Sequence, residues 1–127
     1  MKTARDVQNQ WMQAVNSGDI KTLLDLYDRQ AVLIPTFSNK LLKTPDELQA
    51  YFEKLGSREQ LSIELHEKTL ILQNLQNEMS VLSGIYNWRF AVDGELLNFE
   101  ARFCYVMNLS KPHPILHHHS SQIPRTL

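Results

Sequence analysis

The sequence predicts an α+β fold in which a curved antiparallel sheet forms a half-open cone and N-terminal helices close it. Three observations lead to this prediction. Apolar residues recur at helical spacing as far as Gly56, and from Leu61 onward apolar and polar residues alternate with the period of two that strands require. Turn residues, chiefly Asp93-Gly94, Pro112 and Pro114, divide the second half of the chain into strands.

Composition narrows the class of protein. The 127 residues and 43% hydrophobic content are typical of one globular domain, which we expect to span residues 1–127. A formal net charge of −1 provides no basic face for nucleic acid or an anionic membrane. No apolar run approaches the ~20 residues of a membrane span, and the N-terminus does not read as a secretory signal. With Cys104 as the single cysteine, we expect a cytoplasmic protein without internal disulfides or cofactors.

The first two helices are predicted by their caps. Thr3 and Asp6 have the spacing of a capping box, and the apolar set that follows gives about four turns ending at a left-handed cap on Gly18. Asp19 can then cap a second, shorter helix, whose apolar face extends to Tyr27.

A short apolar run, 31–34, predicts the first strand, and Lys40 to Lys43 is expected to return as a second short strand. The segment Thr44-Pro45-Asp46-Glu47 combines a cap, a proline in the first helical position and acids in the first turn. It therefore predicts a third helix, which ends at Gly56.

The remaining strands follow from alternation. Leu61 to Leu65 alternates cleanly, but Leu70 and Leu72 are out of phase with it, which predicts a bulge near Glu67. Residues 74–77 are turn-like. The long strands are then predicted at 79–90, 96–107 and 115–121. The predicted order is α-α-β-β-α-β-β-β-β.

Six segments together resemble a known family over nearly the whole chain. They are NSGD at 16–19, LYDRQAVLIPTFSN at 26–39, TPDELQAYFEKL at 44–55, SGIYNWRF at 83–90, ARFCYVMN at 101–108 and HHHSSQIP at 117–124. In this order they resemble the NTF2-like (cystatin-like α+β) superfamily, and within it small bacterial proteins of the SgcJ/EcaC type. These are related to the association (hub) domain of calcium/calmodulin-dependent protein kinase II. The loop SKPHPI at 110–115 departs from the Gly-rich turn and tryptophan usual there.

The resemblance implies a fold and a set of functions. The superfold hosts isomerases, dehydratases, cyclases and binding modules, with a pocket between sheet and helices. It also implies a homodimer, or a larger homo-oligomer as in the hub. Kinase activity and calmodulin binding are not implied, because the chain contains no kinase domain.

Arg102 is the main candidate for ligand binding. It shares one strand face with Glu100 and Cys104. If this face points into the cone, the guanidinium lies at the cavity floor and attracts a carboxylate or phosphate. The prediction is therefore a small organic anion as ligand, and hub domains carry arginines at matching positions. The alternatives are a structural ion pair with Glu100 or simple exposure to solvent.

Aromatic residues are expected to line the same pocket. Tyr86 and Trp11 are the first candidates, and Tyr51 from the third helix is another. For most aromatic residues of the chain, ordinary core packing is the competing interpretation.

The three successive histidines do not predict a metal site. Alternation sends His117 and His119 to one side and His118 to the other, and zinc needs about three converging protein ligands. Either His118 or His119 could help to line the pocket, and the sequence leaves the register open.

Catalysis is the alternative function, of the SnoaL or ketosteroid isomerase type. Such enzymes resemble one another in placing an acidic or histidine base inside the cone. The segment VLIPTFSN has no acid where isomerase-like members carry one, so Glu100 or a C-terminal histidine is the remaining candidate. A neighbouring Arg102 would lower the pKa of Glu100 and make it a weak base. A third hypothesis is an assembly scaffold without chemistry, whose sheet face dimerises.

Overall fold

The computed structural model describes residues 2–124, which form an α+β fold with an open, curved sheet of six strands. Its helices are α1 (Ala4–Ser17), α2 (Ile20–Asp25) and α3 (Pro45–Gly56). Its strands are β1 (Tyr27–Ile34), β2 (Ser62–Leu65), β3 (Ile71–Asn74), β4 (Met79–Val92), β5 (Glu95–Asn108) and β6 (Ile115–Gln122). The predicted fold class is confirmed.

The sheet has the strand order β1-β6-β5-β4-β2, and β3 also pairs with β4. Pairing is antiparallel except between β1 and β6, which run parallel. The predicted curved antiparallel sheet thus contains one parallel pair, at the edge formed by β1. A long segment of the chain connects β1 to β6, and a connection of this length allows the two strands to pair in parallel.

Local side-chain chemistry determines where the helices begin. The Thr3 hydroxyl accepts the Asp6 N–H at 3.1 Å, and the Asp6 carboxylate accepts the Thr3 N–H at 3.0 Å. Helix α1 ends at Gly18, whose φ of 71° suits glycine. Thr44 caps α3 in the same way, through the N–H of Glu47 at 3.2 Å. These predicted caps are confirmed.

The predicted second helix is too long. Helix α2 ends at Asp25, and Tyr27 begins β1 instead of continuing the helical face. In β1, Tyr27 pairs with Ile115, and its hydroxyl bonds to His118, 91 residues away in the chain. Such distant partners override the local periodicity of four apolar residues.

The predicted strand at 40–43 is absent among the described residues. Only Leu42 takes part, through two backbone hydrogen bonds of 2.8 Å with Leu33 that form an isolated bridge. Neighbouring Leu41 is mostly exposed, so this segment has little apolar surface to hold it on the sheet.

The predicted irregularity near Glu67 is a break between two strands. A 3₁₀ turn at Glu67–Thr69 separates β2 from β3, and both pair with β4. The Thr69 hydroxyl accepts the N–H of Ile85 at 2.8 Å, so β4 keeps a hydrogen-bond partner across the break. Glu67 forms an ion pair with Arg5 of α1 at 2.8 Å.

Strands β4 and β5 form the centre of the sheet. They pair along their full 14 residues and are joined at Asp93 and Gly94, whose φ angles are 52° and 80°. Positive φ at both positions is the signature of a type I′ hairpin turn. The face towards the helices is apolar and buried, with Tyr86, Ala101 and Phe103 inaccessible or nearly so.

Gly84 is a test of this inner packing. A Cβ atom there would lie 2.9 Å from Phe103 Cζ and 3.1 Å from Leu70 Cδ2. We expect Gly84→Ala to lower the free energy of unfolding by about 1–3 kcal/mol in urea denaturation, because the Phe103 ring and the Leu70 side chain must move. Gly56→Ala is the control, since its Cβ meets only Ile20 Cδ1 at 3.4 Å. Equal losses in the two variants would contradict the close packing at Gly84.

Candidate functional site

The interior of the cone contains a cluster of buried rings that meet at His118. The imidazole is 1% exposed and lies on the inner face of β6. The surrounding aromatic residues come from one helix and three strands: Trp11, Tyr27, Tyr86 and Tyr105. Each is buried, so this cluster connects α1 with β1, β4 and β5.

A chain of hydrogen bonds runs through the cluster. The indole N–H of Trp11 donates to the Tyr27 hydroxyl at 3.0 Å. That hydroxyl lies 2.7 Å from His118 Nδ1, and His118 Nε2 lies 3.2 Å from the Tyr86 hydroxyl. A neutral imidazole that accepts the Tyr27 O–H proton at Nδ1 and donates from Nε2 to Tyr86 fits all three contacts. Both ring nitrogens are therefore satisfied without any ligand.

Burial sets the protonation state of this cluster. It lowers the pKa of His118 to about 3, and the nearby His117 and His119 act in the same direction. Burial also raises the pKa of Tyr27, Tyr86 and Tyr105. The whole network is therefore neutral at physiological pH.

The rings fill the interior that was expected to hold a ligand. Trp11 stacks on Tyr86 with centroids 5.6 Å apart, and His118 stacks on Tyr105 at 4.1 Å. These are distances of direct aromatic contact. Tyr86 and Trp11 point inward as predicted, and the register of β6, which the sequence left open, places His118 inward as well. All three form a packed core here. Whether they bind a ligand stays a prediction that the geometry does not favour.

Arg102 does not lie at a cavity floor. It is exposed on the outer face of β5, opposite to the face of Ala101 and Phe103. Its predicted position inside the cone is wrong, because the aromatic face of the strand is the one that packs under the helices. Glu100 is on the same outer face, and its carboxylate lies 3.6 Å from His66 Nδ1.

The positions of Glu100 and His118 determine whether either of these two candidate residues can act as a base. Glu100 is outside the cone, with 54% of its side chain exposed. His118 is inside, but an imidazole with a pKa of about 3 accepts a proton too weakly to act as a base near neutral pH. The three histidines also cannot converge on one ion, because His118 points inward while His117 and His119 are on the outer face.

A separate groove lies between α3 and the loop after β1. Its volume is about 360 Å³. Apolar, aromatic and charged side chains all contribute to its lining. Its lining consists of Phe37, Ser38, Lys40, Leu42, Glu47, Ala50, Tyr51, Lys54, Leu55 and Arg58.

Phe37 separates this groove from the aromatic core. Its ring contacts Trp88, Phe90 and Phe99, with centroids 5.2 to 5.7 Å apart. Its backbone N–H donates to the Tyr51 hydroxyl at 3.3 Å. Burial raises the pKa of Tyr51 to about 12, so this hydroxyl stays protonated. Tyr51 is thus the one predicted pocket residue that borders the groove.

The groove has an excess of positive charge. Lys40, Lys54 and Arg58 face one acid, Glu47. Within residues 2–124 none of the three cations forms a salt bridge. Arg58 places its guanidinium 5.3 Å from the centroid of the Phe90 ring.

Sequence reasoning missed these cations. Lys54 is in the last turn of α3, and Arg58 lies two residues beyond the end of the helix at Gly56. Lys40 comes from a distant loop, and only the folded chain brings the three cations to one groove.

The outer face of the sheet, opposite to the helices, contains two rows of residues without formal charge. Each row crosses four paired strands, β1, β6, β5 and β4. The first row is Val32, His117, Val106 and Val81, and the second is Ile34, His119, Cys104 and Ser83. Burial and repulsion from His119 lower the pKa of His117. We call these eight residues the outer-face patch.

The family follows from the sequence match. The profile of the calcium/calmodulin-dependent protein kinase II association domain matches residues 3–124. The chain belongs to this family. The predicted NTF2-like relationship is thereby confirmed. No curated protein shows a significant match to this association domain.

Solved structures agree with this assignment. One is described as an association domain of this kinase from Xanthomonas campestris, with a TM-score of 0.84 and 24% identity over 99% of this chain and 91% of that one. A structure described as a dehydratase of the NTF2-like family from Streptomyces avermitilis has a TM-score of 0.77 and 13% identity, over 93% and 92% of the two chains. An NTF2-like protein with a cystatin-like fold from Novosphingobium aromaticivorans has a TM-score of 0.76 and 10% identity, over 96% and 80%. At these identities the likeness shows the fold alone.

In this association domain, none of the helices within residues 2–124 has the length and apolar character needed to cross a membrane.

The buried imidazole predicts a pH dependence of stability. The folded-state pKa of His118, about 3, lies below its ordinary value of 6.5, so the unfolded chain binds the extra proton. Stability is therefore fully present above about pH 6.5 and falls as the pH drops towards 3. Between pH 7 and pH 5 we expect a loss of about 2 kcal/mol in the free energy of unfolding, measured by urea denaturation.

His118→Phe should remove most of this decrease in the free energy of unfolding between pH 7 and pH 5, whatever the effect of the substitution on stability at pH 7. His117→Gln is the control and should keep most of it, because His117 is only partly buried. A slope unchanged in His118→Phe would show that other groups cause the pH dependence.

Proposed function

We propose that this protein is a self-association module, which forms at least a homodimer through the outer-face patch. The observation that supports this most directly is the pair of uncharged rows across four strands. Solvated sheet faces ordinarily carry charged side chains, and fully buried interface centres are depleted of charge. The family is described as an association domain, which agrees with this proposal.

The size of the face is sufficient for a stable dimer. Strands β4 and β5 have 14 residues each, and β1 and β6 have eight. With strands ~4.8 Å apart and a rise of ~3.3 Å per residue, the four strands cover on the order of 500–900 Å². A standard interface buries about 800 Å² on each partner.

Residues at the border of the patch agree with its role as an interface. Arg102 and Glu100 continue the outer face of β5 beyond Cys104 and supply the polar rim that interfaces usually have. Cys104 is a partly exposed free thiol in this patch. We therefore place the protein in a reducing compartment such as the cytoplasm.

A charge in the patch should prevent association. We expect Val106→Lys to weaken the dimer at least 100-fold, because an unpaired charge would be buried between the copies. The dissociation constant can be measured by analytical ultracentrifugation, with circular dichroism to verify folding. Val106→Thr, of nearly the same shape and without charge, is the control and should still associate. A wild-type chain that is monomeric at millimolar concentration would refute this function.

We propose a small organic anion as a second partner, bound in the groove rather than in the cone. The supporting observation is that Lys40, Lys54 and Arg58 border a volume of about 360 Å³ without an acidic partner among the described residues. Phe37 and Tyr51 supply aromatic surface for the apolar part of such a ligand. We do not propose catalysis, because neither Glu100 nor His118 is placed as an effective base.

Phenylacetate is a suitable probe of the groove, with benzylamine as a probe of similar shape and opposite charge. We expect phenylacetate to shift the NMR signals of Tyr51 and Lys54, and benzylamine to have no comparable effect. Lys54→Gln and Arg58→Gln should each weaken binding about 5- to 10-fold, the loss of one charge-assisted contact. Lys21→Gln, on α2 away from the groove, is the control. Equal binding of both probes, or none, would exclude an anion site.

A further inference from the structure

Another pocket lies where the end of α2, the start of β1, the first turns of α3 and the loop between β5 and β6 meet. Its volume is about 240 Å³, and it shares no residue with the groove described above. Pockets for drug-sized ligands usually measure about 300–1,000 Å³, so the occupant of this one is a smaller molecule.

The lining of this pocket combines apolar and charged side chains. Leu48 of α3 and Tyr27 of β1 are 3% and 5% exposed and contribute apolar and aromatic surface. Asp25 and Arg29, at the junction of α2 and β1, are exposed, and so is His113 from the loop between β5 and β6. A small molecule here would meet both an apolar surface and charged groups.

The loop between β5 and β6 is fixed to this pocket by two contacts. His113 Nδ1 lies 2.5 Å from the backbone carbonyl oxygen of Asp25, the last residue of α2. Lys111 Nζ donates to Asp28 Oδ1 at 2.9 Å. A proline on each side of His113 further restricts the loop backbone. The imidazole therefore has a defined place in the lining.

The bond to the Asp25 carbonyl also determines what His113 offers to a ligand. A carbonyl oxygen can only accept, so Nδ1 carries the proton and donates. In the neutral imidazole Nε2 is then an acceptor, and within residues 2–124 it has no hydrogen-bond partner. Capping of a carbonyl at the end of α2 explains the contact of Nδ1 but gives no role to Nε2.

Charges of opposite sign line the pocket without neutralising each other. Asp25 and Arg29 are only four residues apart in the chain, yet neither forms a salt bridge in the part of the chain that the structure describes. Asp28 differs, because its carboxylate oxygens accept from Lys111 Nζ and from the N–H of Gln30. One carboxylate and one guanidinium thus remain available to a ligand.

We propose that this pocket binds a small zwitterion, an α-amino acid with an apolar side chain. Arg29 binds its carboxylate, and Asp25 together with His113 Nε2 binds its ammonium group. Its side chain packs against Leu48 and Tyr27. A simple anion would leave Asp25 unpaired beside it, and a simple cation would do the same to Arg29. The site is separate from the groove and from the outer-face patch, and it does not depend on the function proposed for either.

L-Leucine tests this site together with two analogues that each lack one charge. Isocaproate lacks the ammonium group, and isoamylamine lacks the carboxylate. We expect leucine at millimolar concentration to shift the NMR signals of the His113 ring and the Leu48 methyl groups. Each analogue should bind about fivefold more weakly, the loss of one exposed charge-assisted contact. The signals of Tyr51 report separately on isocaproate that binds in the groove.

Two variants should each remove one of these preferences. Arg29→Gln should no longer distinguish leucine from isoamylamine, while it still prefers leucine to isocaproate. Asp25→Asn should show the reverse pattern. Arg89→Gln and Asp93→Asn, at exposed positions of β4 and of the turn after it, are the matched controls and should bind leucine as the wild type does. Circular dichroism verifies that all four variants are folded.

The pattern of preferences decides the proposal. Equal shifts at His113 with all three probes, or no shift with millimolar leucine, would overturn it. A preference for leucine that is unchanged in both Arg29→Gln and Asp25→Asn would also overturn it, because the charges would then be recognised elsewhere. Dimerisation and binding of phenylacetate in the groove are measured by other signals, so their failure would leave this result unaffected.

Discussion

The arrangement of the sheet depends on one buried imidazole. His118 is hydrogen-bonded at both ring nitrogens, by Tyr27 from β1 and Tyr86 from β4, and Trp11 of α1 joins the network through Tyr27. A buried nitrogen left without a hydrogen-bond partner costs about 1–3 kcal/mol. A shift of β6 by one residue would break both hydrogen bonds of His118 and would move this side chain from the inner face of the sheet to the outer face. The network therefore specifies the register of β6 against its neighbours and the docking of α1 on the sheet. It also explains why the polar strand HHHSS can lie in the middle of a sheet, between β1 and β5.

A filled interior moves the candidate functional surfaces to the outside. The rings around His118 leave the inner face packed, and the same alternation that buries His118 puts His117 and His119 in the outer-face patch. The groove beside α3 is separated from the core by Phe37. One structural neighbour with this fold is described as a dehydratase. A shared fold does not carry a shared reaction, because the reaction depends on the groups placed inside the cone. In this chain Glu100, the acid predicted to lie inside the cone, is on the outer face of the sheet.

How far the sequence predicts the site differs between its parts. The sequence predicts Tyr51 as an aromatic pocket residue, and Tyr51 does border a pocket, although that pocket is the groove and not the cone. For Arg102, a lone charge in an apolar strand suggests a buried function, but the side chain is exposed on the outer face. Nothing near Lys40 in the sequence relates it to Lys54 or Arg58. Sites formed by residues far apart in the chain depend on contacts that local patterns do not encode.

By itself, the sequence determined the features that arise within a few residues of the chain. Side-chain caps at Thr3 and Thr44 and the Asp93-Gly94 turn operate through hydrogen bonds and φ angles of adjacent residues, and they locate α1, α3 and the central hairpin. Alternation also defined the two faces of each strand. Only the tertiary structure decided which face is inside, that Tyr27 leaves the helix for β1, and that β1 pairs in parallel with β6. The physical reason is that alternation has period two and is symmetric between the faces, so burial against distant elements must choose one.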